Sequence, residues 1–159
     1  MKLSLLRVIF VAVPECILMV YVGLGLLGVK TTVKNYLVIG VVGAGSLWFI
    51  DNLLNLYGLH SILSIIILGV LINIVVDVEI KQSIIVILIG MIILAIGDLI
   101  FVTLIVKISN LNVGLIGEQD YLYLLCMYLG MIPLLITAYS IYRFDITLIK
   151  LAGDRDEVI

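Results

Sequence analysis

Five apolar stretches, each near the roughly 20 residues one helix needs to cross a bilayer, fill most of this chain, at 8–28, 36–57, 61–76, 83–106 and 121–142. So much continuous apolar sequence leaves few folds open. Of 159 residues, 64% are hydrophobic and 13% charged, against about 45–50% and about 25% in an ordinary soluble chain. One soluble core of this length could not bury that surface. Lipid removes the need for a polar exterior, and it obliges the backbone polar groups to bond inside helices. The expectation is an all-α integral membrane protein, a bundle of about five transmembrane helices over 1–142 followed by a short cytoplasmic tail at 143–159.

The connectors are short and polar. Lys30-Thr-Thr-Val-Lys34 closes the first stretch, Gly58-Leu59-His60 joins the second to the third, and Asp77-Val-Glu79-Ile-Lys81 leads into the fourth. The longest loop, 107–120, carries Asn110, Asn112, Gly114 and Gly117. With five crossings, one side holds Lys2, Arg7 and Lys107, and the other holds Lys30, Lys34, Lys81, Arg143, Lys150 and Arg155. The excess of basic residues marks the cytoplasmic side of a cell (inner) membrane, so the N-terminus is expected outside and the C-terminus in the cytoplasm. Lys2 and Arg7 before an apolar run imitate a secretory leader, but no small-residue cleavage site interrupts the run, and the first helix is read as retained. Tyr121 and Tyr123 at one end of the last stretch, and Tyr139 and Tyr142 at the other, take the interfacial heights that amphipathic rings favour. Beyond Arg143 the tail either continues the fifth helix or lies along the membrane surface.

Three carboxylates stand inside apolar stretches: Glu15, Asp51 and Asp98. An acid at mid-membrane costs about 2.5–3.5 kcal/mol on insertion scales, so each must face other helices or water. Asp51 has polar company, since Gly40, Ala44, Trp48, Asp51 and Asn55 recur at three- and four-residue steps on one stripe. Small members of such a stripe let helices approach, and polar members bond across the contact. His60 lies just beyond, at the membrane edge, and Asn73 adds a polar group to the third helix. Two readings stand. Glu15, Asp51, Asn55 and Asp98, with His60 at the rim, line a ligand pocket or cation path, or they are protonated and hydrogen-bonded structural groups. Pro14 interrupts the first helix's ladder and frees a carbonyl near Glu15. Pro133, three residues after Gly130, should bend the fifth helix by at least about 20°.

Other chemistry is excluded on residue grounds. A net charge of −2 with no basic face gives nucleic acid nothing to hold. Gly23-Leu-Gly25-Leu-Leu-Gly28 matches the dinucleotide fingerprint in letters, but that fingerprint needs a strand before it and a helix after it. Inside a membrane helix these glycines are packing surfaces, and no nucleotide or other cofactor is expected. Cys16 and Cys126 read as buried structural thiols. With one histidine in the chain, they form neither a recognisable catalytic set nor a metal site.

Pro14-Glu15 followed by Tyr21-Val-Gly-Leu-Gly-Leu-Leu-Gly28, then Tyr57-Gly-Leu-His60-Ser61 opening the third helix, Asp98 in the fourth and Tyr142-Arg143 ending the last together resemble the membrane region of Firmicutes-type sensor histidine kinases of the peptide-pheromone receptor kind. The resemblance implies a membrane region that senses a ligand and passes a change to a cytoplasmic catalytic part. This chain stops soon after the last helix, with no phospho-accepting histidine segment and no nucleotide-binding motifs. The expectation is thus a stand-alone, non-enzymatic sensor-type module that binds a ligand or partner within the lipid bilayer. The alternatives are a small transporter or transport subunit that uses the intramembrane carboxylates, and a structural subunit assembling with itself or another membrane protein.

Overall fold

The computed structural model describes residues 5–50, 52, 60–109 and 120–148, with the side chains at 60, 61, 109 and 120 outside that description. Among the described residues every regular element is helical: α1 Leu5–Leu26, α2 Val33–Phe49, α3 His60–Val76, α4 Ile80–Ser109, α5 Asp120–Gly130 and α6 Ile132–Phe144. α1 and α4 are long and apolar enough to cross a membrane, and α5 with α6 makes a third such span if the bent pair is taken as one. α2 and α3 are shorter apolar helices of 17 residues each, about 25 Å at 1.5 Å per residue.

The helices outrun their apolar stretches where a polar residue starts or ends a turn. Thr32 is extended, and its hydroxyl accepts from the Asn35 N–H at 3.4 Å, so α2 begins at Val33 and not at residue 36. α1 stops at Leu26, and Gly28 turns the chain at φ 71°, so this last glycine of the false fingerprint lies past the helix. α3 runs to Val76, and its end is closed by Asn73, whose side-chain amide donates to the Val78 carbonyl while Asp77 takes a left-handed φ of 58°. Asn35 Nδ2 donates to the Val75 carbonyl at 3.3 Å, pinning the start of α2 to the end of α3.

α1 runs through the middle of the molecule. Val20, Val22, Leu24 and Leu27 are fully buried, against α4 and α2 chiefly and then α6. A side chain on Gly23 would collide with the Val86 carbonyl of α4, and one on Gly40 with Ile17 of α1. The outside of the bundle is apolar too, with Ile74 71% and Leu99 72% exposed among many others. A continuous apolar exterior of this extent belongs in lipid or against another protein.

The tail does not continue the last helix. Asp145 adopts a left-handed φ of 48° and its N–H closes on the Ile141 carbonyl, after which the Leu148 N–H donates to the Leu26 carbonyl at 2.7 Å. Residues 145–148 therefore fold back onto the end of α1. Lys30 and Asp145 lie 3.4 Å apart there, both highly exposed, a pair of small energetic weight.

Candidate functional site

Two of the three acids that stand inside apolar stretches share a cavity. Glu15 of α1 and Asp98 of α4 both line a cavity of about 390 Å³, together with Arg7 of α1, Ser64 of α3 and Tyr123 of α5. Its remaining walls are apolar, among them Met19, Leu47, Leu68, Met91 and Leu94. The lining comes from Arg7 to Met19 of α1, Leu47 near the end of α2, Ser64 and Leu68 in the first half of α3, Met91 to Asp98 in the middle of α4 and Tyr123 at the start of α5. The cavity thus occupies the end of the bundle that carries the N-terminus.

The winding of α1 shapes this site. Residues Val8–Ala12 form a π-turn, with the Val13 N–H reaching back to the Val8 carbonyl. In a plain α-helix Glu15 would stand about 80° round the axis from Arg7. A wider turn rotates less per residue and closes much of that gap, so both charged groups serve one cavity. Pro14 accounts for the distortion, because its ring crowds the carbonyl four residues earlier and brings no N–H to it. That carbonyl belongs to Phe10, and it accepts a 2.6 Å hydrogen bond from the Tyr128 hydroxyl of α5. α1 nevertheless continues through Pro14 as one helix.

Arg7 is 7% exposed, and its guanidinium sits 4.4 Å from the centroid of the Tyr123 ring. Arg7 and Tyr123 thus meet inside the fold, a contact that the lysine and arginine count and the positions of the tyrosines do not reveal. A flat, weakly hydrated cation packs well on an aromatic face, so the pair turns inward where a lysine would reach out. Tyr121, Tyr139 and Tyr142 remain exposed. Ser64 was also passed over, since one serine in an apolar run carries no signal of its own.

Asp98 has a second contact. Its Oδ1 is buried with no hydrogen-bond partner among the described residues, and a side chain on Gly130 would strike it. The neighbouring Gly97 lies against the Gly130 carbonyl and the Pro133 ring. α5 and α6 diverge by 40° across this point, broken at Met131. A carboxyl oxygen buried without a donor is costly, and here it packs against the helix break at Gly130 while the residue also lines the cavity.

Gly40 and Ala44 of the small-residue stripe are buried in the α1–α2 contact. Asp51 and Asn55 lie outside the described residues, as do the side chain of His60 and residues 57–59. Cys16 and Cys126 are free and buried, and among the described residues no cluster of three or more metal-ligating side chains occurs. A second cavity of about 980 Å³ opens at the opposite end, between Tyr21, Tyr36, Tyr142, Lys30 and the 145–147 turn. Tyr21 and Tyr36 meet there with ring centroids 5.4 Å apart. No protein-family model, curated protein or solved structure matches the chain.

Proposed function

We propose that this chain is a five-crossing protein of the cell membrane, without enzymatic activity, that receives a small ligand in the Glu15–Asp98 cavity and relays its occupancy to the segment after α6. The observation that carries this reading is the double position of Asp98, which lines the cavity and lies against Gly130 where α5 and α6 diverge by 40°. A ligand drawing on the Asp98 carboxyl changes the contact that seats the break. α6 leads from that break to the Leu148–Leu26 bond, so a shift in the break reaches the tail. The reading agrees with the resemblance to sensor-kinase membrane regions. It also follows the lysine and arginine distribution, with the cavity on the outer side and the tail in the cytoplasm.

The experiment needs no ligand. Ala95 lines the cavity, and Ala95→Cys in a Cys16→Ala, Cys126→Ala background gives one thiol to a benzyl methanethiosulfonate reagent. Filling the cavity this way should speed amide hydrogen exchange at Leu148. A thiol that never reacts removes the ligand site, and a reacted protein with unchanged exchange removes the relay.

A transport role is the second reading, favoured by the second cavity at the opposite end of the bundle. Under it, proteoliposomes take up a solute and Asp51→Asn or Asp98→Asn abolishes uptake.

A further inference from the structure

The charge inventory of the outer cavity narrows what could fill it. Among the described residues its lining holds two carboxyl groups, Glu15 and Asp98, and one guanidinium, Arg7. The carboxyl groups outnumber the guanidinium, so both can ionise only with one negative charge left over. An uncompensated charge away from water is strongly unfavourable, and a bound monocation removes the deficit. The hydrogen-bond inventory agrees, because the lining brings two carboxyl groups, Glu15 and Asp98, although Asp98 Oδ1 itself packs against Gly130. A ligand bearing N–H groups supplies donors, whereas a carboxylate or phosphate adds acceptors to a site already rich in them.

The walls decide between an inorganic and an organic cation. Hard metal ions take six or more oxygen ligands, and two carboxyls with one serine hydroxyl fall short of that. The volume of about 390 Å³ equals roughly thirteen water volumes at about 30 Å³ each, far more than a bare ion fills. It lies within the range of small-molecule pockets, about 300–1,000 Å³. Met19, Met91, Leu68 and Leu94 make the remaining surface apolar, and methionines adapt to irregular shapes.

We infer that this cavity binds a monovalent organic ammonium ion, with its N–H groups on Glu15 and Asp98 and an apolar group of about benzyl size against the methionine and leucine walls. The inference rests on the ligand-site reading above and adds the chemical class. Among the described residues Arg7 then leaves the lining one negative charge, which a single ammonium balances.

Calorimetry on the full chain in lipid nanodiscs tests this with three probes of similar shape: phenethylammonium, 2-phenylethanol and phenylacetate. Phenethylammonium should bind saturably and at least about tenfold more tightly than the alcohol, a difference of about 1.4 kcal/mol. Glu15→Gln and Asp98→Asn should each weaken the amine by a similar factor while leaving the alcohol unchanged. The amine–alcohol comparison uses the unaltered protein, so it holds even if a variant fails to fold. Equal binding of amine and alcohol overturns the inference, as does amine binding that survives both substitutions. Phenylacetate binding more tightly than the amine, and lost in Arg7→Met, overturns the cation class but keeps the ligand site. Binding of none of the three overturns the inference, and the reactivity of Ala95→Cys then decides whether the ligand site falls with it.

Discussion

Gly97 sets how near α4 can come to the α5–α6 break. A β-carbon there would overlap the Gly130 carbonyl oxygen, and backbone cannot turn aside as a flexible side chain can. Gly97→Ala should therefore cost about 1–3 kcal/mol, the usual penalty of overpacking, read as a lower unfolding midpoint in detergent. Gly45 is the internal control. It is helical and has nothing within 4 Å, so Gly45→Ala should be neutral or stabilising by up to about 1 kcal/mol through helix propensity. If the two variants behave alike, the close approach at Gly97 carries no energetic weight. At this scale the sequence told part of the site. Glu15 and Asp98 could be picked out because an acid in an apolar run is costly wherever it points. Arg7, Ser64 and Tyr123 could not, because each has an ordinary place in a membrane helix and only the fold turns them toward one cavity.

The two prolines do different things to their helices. Pro133 follows a glycine and a break at Met131, and the helix bends by 40°. Pro14 sits after a π-turn in a helix that goes on, with the Phe10 carbonyl taken up by Tyr128. Both interruptions follow from a missing N–H, which sequence reveals. Which carbonyl finds which donor is a matter of packing between α1 and α5, which it does not. Tyr128→Phe should destabilise by roughly 0.6 kcal/mol and at most about 1.7, the measured span for such bonds within membranes. In a Pro14→Ala background position 14 has its own N–H for Phe10, and the same substitution should cost clearly less. Additive effects in this double-mutant cycle would mean that Tyr128 does not stand in for the absent donor. At the break, Pro133→Ala restores a backbone donor and should reduce the 40° bend. Spin-label distances from α4 to the end of α6 measure the change, and an unaltered distance would assign the bend to Gly130 and its neighbours.

Across the whole molecule, the three turns at 29–32, 77–79 and 145–148 gather at one end, tied by the Asn35–Val75 and Leu148–Leu26 bonds. Cysteines placed at Lys34, Lys81 and Arg143 should accordingly label together from one side of a sealed vesicle, and one at Lys107 from the other. Labelling of Lys34 and Lys107 positions from the same side would break the alternation of crossings. Helical class was legible from the five apolar stretches because lipid admits few alternatives. Helix extent was legible in part: α3 ends at Val76 as its apolar stretch does, but α2 starts at Val33, ahead of its stretch, because Thr32 caps it. The bond from Tyr128 to Phe10 also has a consequence in time. Under the membrane reading proposed above, α1 reaches the bilayer long before α5 is made, and its Phe10 carbonyl, Arg7 and Glu15 then lack the partners that the fold supplies. Unsatisfied polar groups in hydrocarbon cost several kcal/mol each, and α1 must wait in a half-finished state at the insertion machinery until Tyr123 and Tyr128 arrive. A nascent chain halted after residue 119 should remain crosslinkable to that machinery, and one halted after residue 148 should be released into lipid.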